Sequence, residues 1–159
     1  METALSPAAR RVRETLRQMG FENEVVEFPE STRTAAEAAA VCGCEVAQIA
    51  KSLVFRGKTS GRPVLVITSG KNRVDEKKLS ALIGEPVGKA DAEFVRERTG
   101  YAIGGVPPLA RAEDMPSFLD RDLMAYETVW AAAGTPRAVF RLTPEELLRM
   151  SGAQVAEVA

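Results

Sequence analysis

The chain contains no histidine. Imidazole catalysis is therefore excluded, and with it Ser-His and Cys-His nucleophile pairs. Cysteine is almost as scarce: Cys42 and Cys44 are the only two, separated by a single residue. That spacing is too short for an ordinary disulfide framework, and two thiols are too few for a structural zinc site. No metal and no cofactor are expected. Long apolar runs are missing too, so no membrane span is expected. The first twenty residues lack the apolar segment of a secretory signal, which makes the cytoplasm the expected location. Nor is there a basic excess, with 21 Lys plus Arg against 22 Asp plus Glu and a formal net charge of −1. A duplex-DNA binder would carry such an excess. Near-neutral balance argues against wide, tight backbone binding but leaves room for a brief encounter with one end of an RNA.

What is present suits one ordinary globular domain spanning 1–159. The 159 residues are 45% hydrophobic and 27% charged, enough apolar material for a real core. No internal repeat, linker or low-complexity tract interrupts them. Ser6-Pro7 reads as an N-cap and first helical position, followed by Val12, Leu16 and Met19 at helical spacing, with Gly20 placed as a stop. Arg10, Arg11, Arg13 and Arg17 decorate this helix, either as a solvated face or as an RNA contact.

Residues 24–28 read as a short strand closed by Pro29. Thr34 and Glu37 form a capping box before an alanine-rich helix that Gly43 breaks, and 45–50 read as a further helical turn. Lys51 then enters a strand on the same side as Leu53 and Phe55. An ammonium on an apolar face is costly unless it snorkels to water or meets an anion. Residues 58–61 suggest a hairpin turn and 63–68 a buried strand. In the polar loop 69–73, the Walker spacing is absent, so a phosphate-loop reading fails. Asp75 and Asp91 are placed to cap helices over 76–82 and 92–99, with a short strand at 86–88 between them. Strands are expected at 116–119, 128–132 and 138–142, and Thr143-Pro144-Glu145-Glu146 opens a last helix. The mixture of strands and helices, with hairpin turns among them, indicates one α+β domain on a mixed sheet.

Gly104-Gly105-Val106-Pro107-Pro108 stands out. It is expected to end an apolar strand, Tyr101-Ala102-Ile103, with a stiff loop. The N–H groups of Gly104, Gly105 and Val106 would then suit a carbonyl oxygen gaining charge in acyl transfer. The same residues also suit a plain tight turn.

Several stretches, taken in order, resemble the YbaK family, also called the prolyl-tRNA synthetase-associated editing domain. They are residues 31–39, Ile49-Ala50-Lys51-Ser52-Leu53-Val54-Phe55, Arg73-Val74-Asp75-Glu76-Lys77-Lys78-Leu79, the 104–108 loop, and Ala133-Gly134-Thr135-Pro136 onward through Leu148. The similarity runs from about Phe28 nearly to the C-terminus, and its specificity lies in order and spacing. The resemblance implies a mixed, partly closed, barrel-like sheet surrounded by helices. It also implies trans-editing: hydrolysis of the ester joining a wrong amino acid to tRNA, above all tRNA for proline. Lys51 would be the principal functional side chain, and Gly104, Gly105, Val106, Pro107 and Pro108 would line the site. Thr34 and Gly134 lie in matching segments. Implied partners are the acceptor end of mischarged tRNA and prolyl-tRNA synthetase, with no membrane and no duplex DNA. A non-catalytic module binding tRNA or an amino acid beside the synthetase is the alternative. Cys42 and Cys44 match nothing functional in the family and read as small helix-end residues, with a nucleophile as the alternative.

Overall fold

The computed structural model describes residues 4–109 and 113–159. Its centre is an antiparallel hairpin of β2 (Ile49–Gly57) and β3 (Pro63–Ser69), joined by the turn expected at 58–61. β3 is buried along its whole length. Its alternate residues serve two cores: Leu65 and Ile67 enter one apolar cluster, Val64 and Val66 another. Both faces of this strand are covered, which is why it reads as a continuous apolar run.

The remaining strands extend this hairpin into one mixed sheet. The order is β1 (Val25–Glu27), β7 (Ala138–Leu142), β6 (Val129–Ala132), β2, β3, β5 (Ser117–Asp120) and β8 (Gln154–Ala156), with β4 (Val87–Lys89) also on β2. The β2–β6, β3–β5 and β5–β8 pairs are parallel and the others antiparallel. β1 and β8 stand at opposite ends of this path, so the sheet is not closed into a barrel.

One feature of the register shapes everything near it. On the side of β2 away from β3, Ile49 and Ala50 pair with Trp130 and Ala131 of β6. Phe55, Arg56 and Gly57 pair with Lys89, Gly88 and Val87 of β4. Residues 51–54 lie between, and among the described residues no strand pairs with them on that side.

Helix boundaries follow their caps. Thr34 and Glu37 exchange both capping-box bonds at the start of α2 (Ala35–Cys42). Asp75 and Asp91 cap α3 (Glu76–Ile83) and α4 (Ala92–Thr99), and Thr143 with Glu146 opens α5 (Pro144–Ser151). Ser6 does precede α1 (Pro7–Gln18), but its side chain does not cap it. Its N–H and hydroxyl donate to the Glu27 carboxylate instead, at 2.8 and 3.0 Å, tying α1 to β1.

The structure departs from the sequence reading in three ways. Residues 45–50 contain only a 3-10 turn, Val46–Gln48, because Ile49 already belongs to β2. A 3-10 segment at Arg121–Ala125 and the short strand β8 carry too weak a pattern to be seen in advance. The third departure is Tyr101-Ala102-Ile103, which is a turn and not a strand. Gly100 and Gly104 hold φ of 84° and 87° on either side, and the Thr99 hydroxyl accepts the Tyr101 N–H at 3.0 Å. With left-handed residues at both ends, no room remains for a ladder.

The glycine-proline loop is correspondingly a packed turn. The Gly105 N–H donates to the Ala102 carbonyl and the Gly134 N–H to the Gly105 carbonyl, both at 2.9 Å. A Cβ on Gly105 would stand 2.9 Å from the Thr135 backbone, which cannot step aside as a side chain can. Gly105→Ala is therefore expected to destabilise the fold by about 1–3 kcal/mol through overpacking. Thermal unfolding checks this, and an unchanged midpoint would show that the 105–135 contact yields easily.

Candidate functional site

The strand-pairing gap in β2 becomes a cavity of about 670 Å³. Its floor is β2 itself. Its walls come from the start of α2, from β6, from Val139 of β7, and from the loops that follow β3 and α4. Most of this wall is apolar, with Ala38, Val54, Val95, Val106, Trp130 and Ala131 prominent. Polar and charged groups are fewer: Thr32, Thr34 and Ser52, with Arg33, Lys51, Asn72, Arg73, Glu76 and Lys89.

Lys51 sits on the gapped stretch of β2, half-buried. Burial pushes its ammonium pKa below the ordinary lysine value, since water no longer solvates the charge fully. Among the described residues it forms no ion pair. Its nearest polar partner is the backbone carbonyl of Asn72, which accepts from Nζ at 3.5 Å. Lys51 therefore faces the cavity as a poorly neutralised cation, the kind of group that receives an anion or a polarised ester.

Behind Asn72 lies a buried carboxylate. Asp120, at the end of β5, is 2% exposed. Its Oδ2 accepts from the Thr68 hydroxyl, the Ser69 N–H and Asn72 Nδ2 at 2.9, 3.0 and 2.9 Å, and its Oδ1 from the Asp122 N–H at 2.9 Å. Burial alone would raise its pKa. The bonds from Asn72, Ser69, Asp122 and Thr68 outweigh that and hold the carboxyl below the usual range. Asn72 and Asp120 escaped the sequence reading. An aspartate ending a buried apolar strand is the signal that would have drawn attention to the second.

The expected site residues separate into two groups. Lys51, Thr34, Gly104 and Val106 line the cavity together. Thr34 does so while its hydroxyl accepts the Glu37 N–H as the α2 cap. Gly105, Pro107, Pro108 and Gly134 are buried and are not among the lining residues. Gly134, at φ 100°, lies under α1, where a Cβ would come within 2.7 Å of the Ala8 carbonyl oxygen. The expected row of three free donors is also not formed, because the Gly105 N–H is spent within its own turn. A Cβ at Gly105 or at Gly134 would meet backbone, so packing requires a glycine at both positions.

The cysteines lie outside the cavity wall. Burial, with the neighbouring Cys44, pushes the Cys42 thiol up to about 11, and burial with Glu45 raises Cys44. Both stay protonated at neutral pH and are poor nucleophiles. Among the described residues, no three His, Cys, Asp or Glu side chains are grouped to hold a metal, and no helix is long and apolar enough to cross a membrane.

Comparison with known proteins agrees with this architecture. The Aminoacyl-tRNA editing domain family matches residues 29–150. The uncharacterized protein YwhH of Bacillus subtilis is 36% identical over 146 residues, covering 92% of each chain. A proposed Cys-tRNA(Pro)/Cys-tRNA(Cys) deacylase, EbsC of Enterococcus faecalis, is 30% identical over 117 residues, 73% of this chain and 71% of that one. A crystal structure described as a proposed trans-editing enzyme for prolyl tRNA synthetase superposes with a TM-score of 0.91 at 55% identity, covering 98% of both chains. The fold, the cavity beside Lys51 and these matches lead to one assignment: the chain belongs to the aminoacyl-tRNA editing domain family.

Proposed function

We propose that this protein is a trans-editing deacylase that hydrolyses the ester of mischarged tRNA, with tRNA for proline as its principal substrate. The observation that carries the reading is the Lys51 ammonium, without an ion pair among the described residues, in the lining of a largely apolar cavity. Such a cavity takes a small amino-acid side chain, and the cation holds the terminal phosphate or the ester end. Family membership and the names borne by EbsC and the superposed structure support the same substrate class.

The chemistry fits a chain without imidazole. An aminoacyl ester is already activated, so positioning and charge stabilisation suffice to hydrolyse it. In the substrate-assisted mechanism considered for the family, the hydroxyl beside the ester on the terminal adenosine orients the attacking water. Lys51 then works as a fixed point charge rather than as a base. The acceptor end of tRNA is the macromolecular partner, prolyl-tRNA synthetase is a second, and the cytoplasm is where both are met.

Two measurements test this reading. Lys51→Ala is expected to cut deacylation of mischarged tRNA-proline by at least about 100-fold, the scale of a lost charge-stabilising group. Its unfolding temperature should hold, since no ion pair is broken. Unchanged turnover would remove Lys51 from the mechanism, and tight tRNA binding without turnover by the wild type would favour a binding module. The second measurement is the salt dependence of tRNA affinity. A chain of net charge −1 should show a shallow slope, equivalent to roughly three neutralised phosphates or fewer. A slope matching six or more would point to an extended footprint, with the arginines of α1 as leading contacts.

A further inference from the structure

Behind the cavity wall formed by the loop after β3 runs a chain of contacts that the proposed chemistry does not itself use. Asn72 Nδ2 donates to Asp120 at 2.9 Å and to Asp122 at 2.8 Å. An amide nitrogen has two protons, so both are committed to carboxylates and the side chain has one sensible orientation. The Asn72 N–H donates to the Ser69 carbonyl at 2.9 Å, and the Ser69 hydroxyl to the Ala47 carbonyl at 2.7 Å. With side chain and N–H both tied, the Asn72 carbonyl is left facing Lys51 Nζ.

We propose that Asp120 is a positioning residue for Lys51: it clamps the Asn72 side chain and thereby holds the Asn72 carbonyl against the ammonium. This role rests on the deacylase reading only for its effect on rate; the geometry of the clamp is independent of it. The physical case is one of burial. A carboxylate as enclosed as Asp120 would be a liability without partners, yet four donors satisfy it, and the single side-chain amide among them belongs to the loop that faces the cavity. Thr68, another of the four, is the cross-strand neighbour of Lys51. The carboxylate therefore fixes both the strand beside the lysine and the loop in front of it.

The sign of the effect follows. A carbonyl accepting from Nζ stabilises the charged form, so releasing it lets desolvation lower the lysine pKa further. Other charges near Lys51 are Arg33, Arg73, Glu76 and Lys89 on the cavity wall, with Asp120 and Asp122 behind Asn72. Neutralising Asp120 would itself lower the lysine pKa, so one variant cannot separate charge from clamping. Asn72→Ala can, because it keeps the backbone carbonyl and the Asp120 charge while cutting the link.

The experiment is NMR titration of the Lys51 side chain in the tRNA-free protein, for Asn72→Ala, Asp120→Asn and the double variant. Clamping predicts that Asn72→Ala lowers the Lys51 pKa by roughly one unit, that Asp120→Asn lowers it further because a charge is lost as well, and that the double variant does little more than Asp120→Asn alone. Deacylation should fall by up to roughly 100-fold in each, the cost of a misplaced group. The core variant Leu79→Ala supplies the comparison for plain instability: it should unfold at lower temperature without moving Lys51. An unmoved Lys51 in Asn72→Ala overturns the proposal, as do fully additive shifts. Should Asp120→Asn fail to fold, Asn72→Ala decides alone. A wild type without deacylase activity would sink the proposed function while the titration still judged the clamp.

Discussion

Everything about this site depends on an interruption in strand pairing. β2 is hydrogen-bonded along one side by β3, but on the other it meets β6 at one end and β4 at the other. A sheet normally covers its backbone groups with neighbouring strands, because uncovered ones are costly away from water. Here, among the described residues, no strand pairs with 51–54 on one side, and the cavity lies along that stretch. Lys51 heads that stretch. The architecture thus supplies a concave site from a sheet that would otherwise present a flat face.

The electrostatics follow from the same interruption. A lysine inside a complete sheet would need a carboxylate beside it or a route to water. On the gapped stretch it has partial access to solvent and one carbonyl partner, and burial lowers its pKa. The nearby carboxylate, Asp120, is spent on amide and hydroxyl donors and forms no ion pair with the lysine. The protein keeps its cation available by occupying its anion elsewhere.

Much of the fold was legible in the sequence because local chemistry and tertiary structure agree. Capping residues Thr34, Asp75, Asp91 and Thr143 mark helix starts that the structure reproduces, and the apolar run at 63–68 is the buried central strand. Where a segment's fate was set by distant partners, local pattern misled. Tyr101-Ala102-Ile103 has strand-like residues, but the flanking left-handed glycines and the Thr99 hydroxyl make it a turn. Ser6 looks like a cap and instead serves Glu27, a residue twenty-one positions away. For the site, Lys51 stood out because a charge on an apolar strand asks for a reason. Asn72 and Asp120 did not, since their pairing across forty-eight positions exists only once β3 and β5 lie side by side. In the glycine-proline loop, Gly104 and Val106 reach the cavity, while Gly105 is held against Thr135, a contact that local sequence does not show.

The division of the cavity wall has a consequence for how such a protein diversifies. Lys51, Asn72 and the buried Asp120 belong to β2, the loop after β3 and β5, whereas much of the apolar lining comes from α2, β6, β7 and the segment after α4. Anchoring and shape are therefore carried by different parts of the chain. Ala38, Ala131 and Val139 line the space, and their side chains take no part in the hydrogen bonds that fix the cation, so a change in their size alters the space without removing any of those bonds. On such a scaffold the girth of the space and the hold on the cation can vary separately.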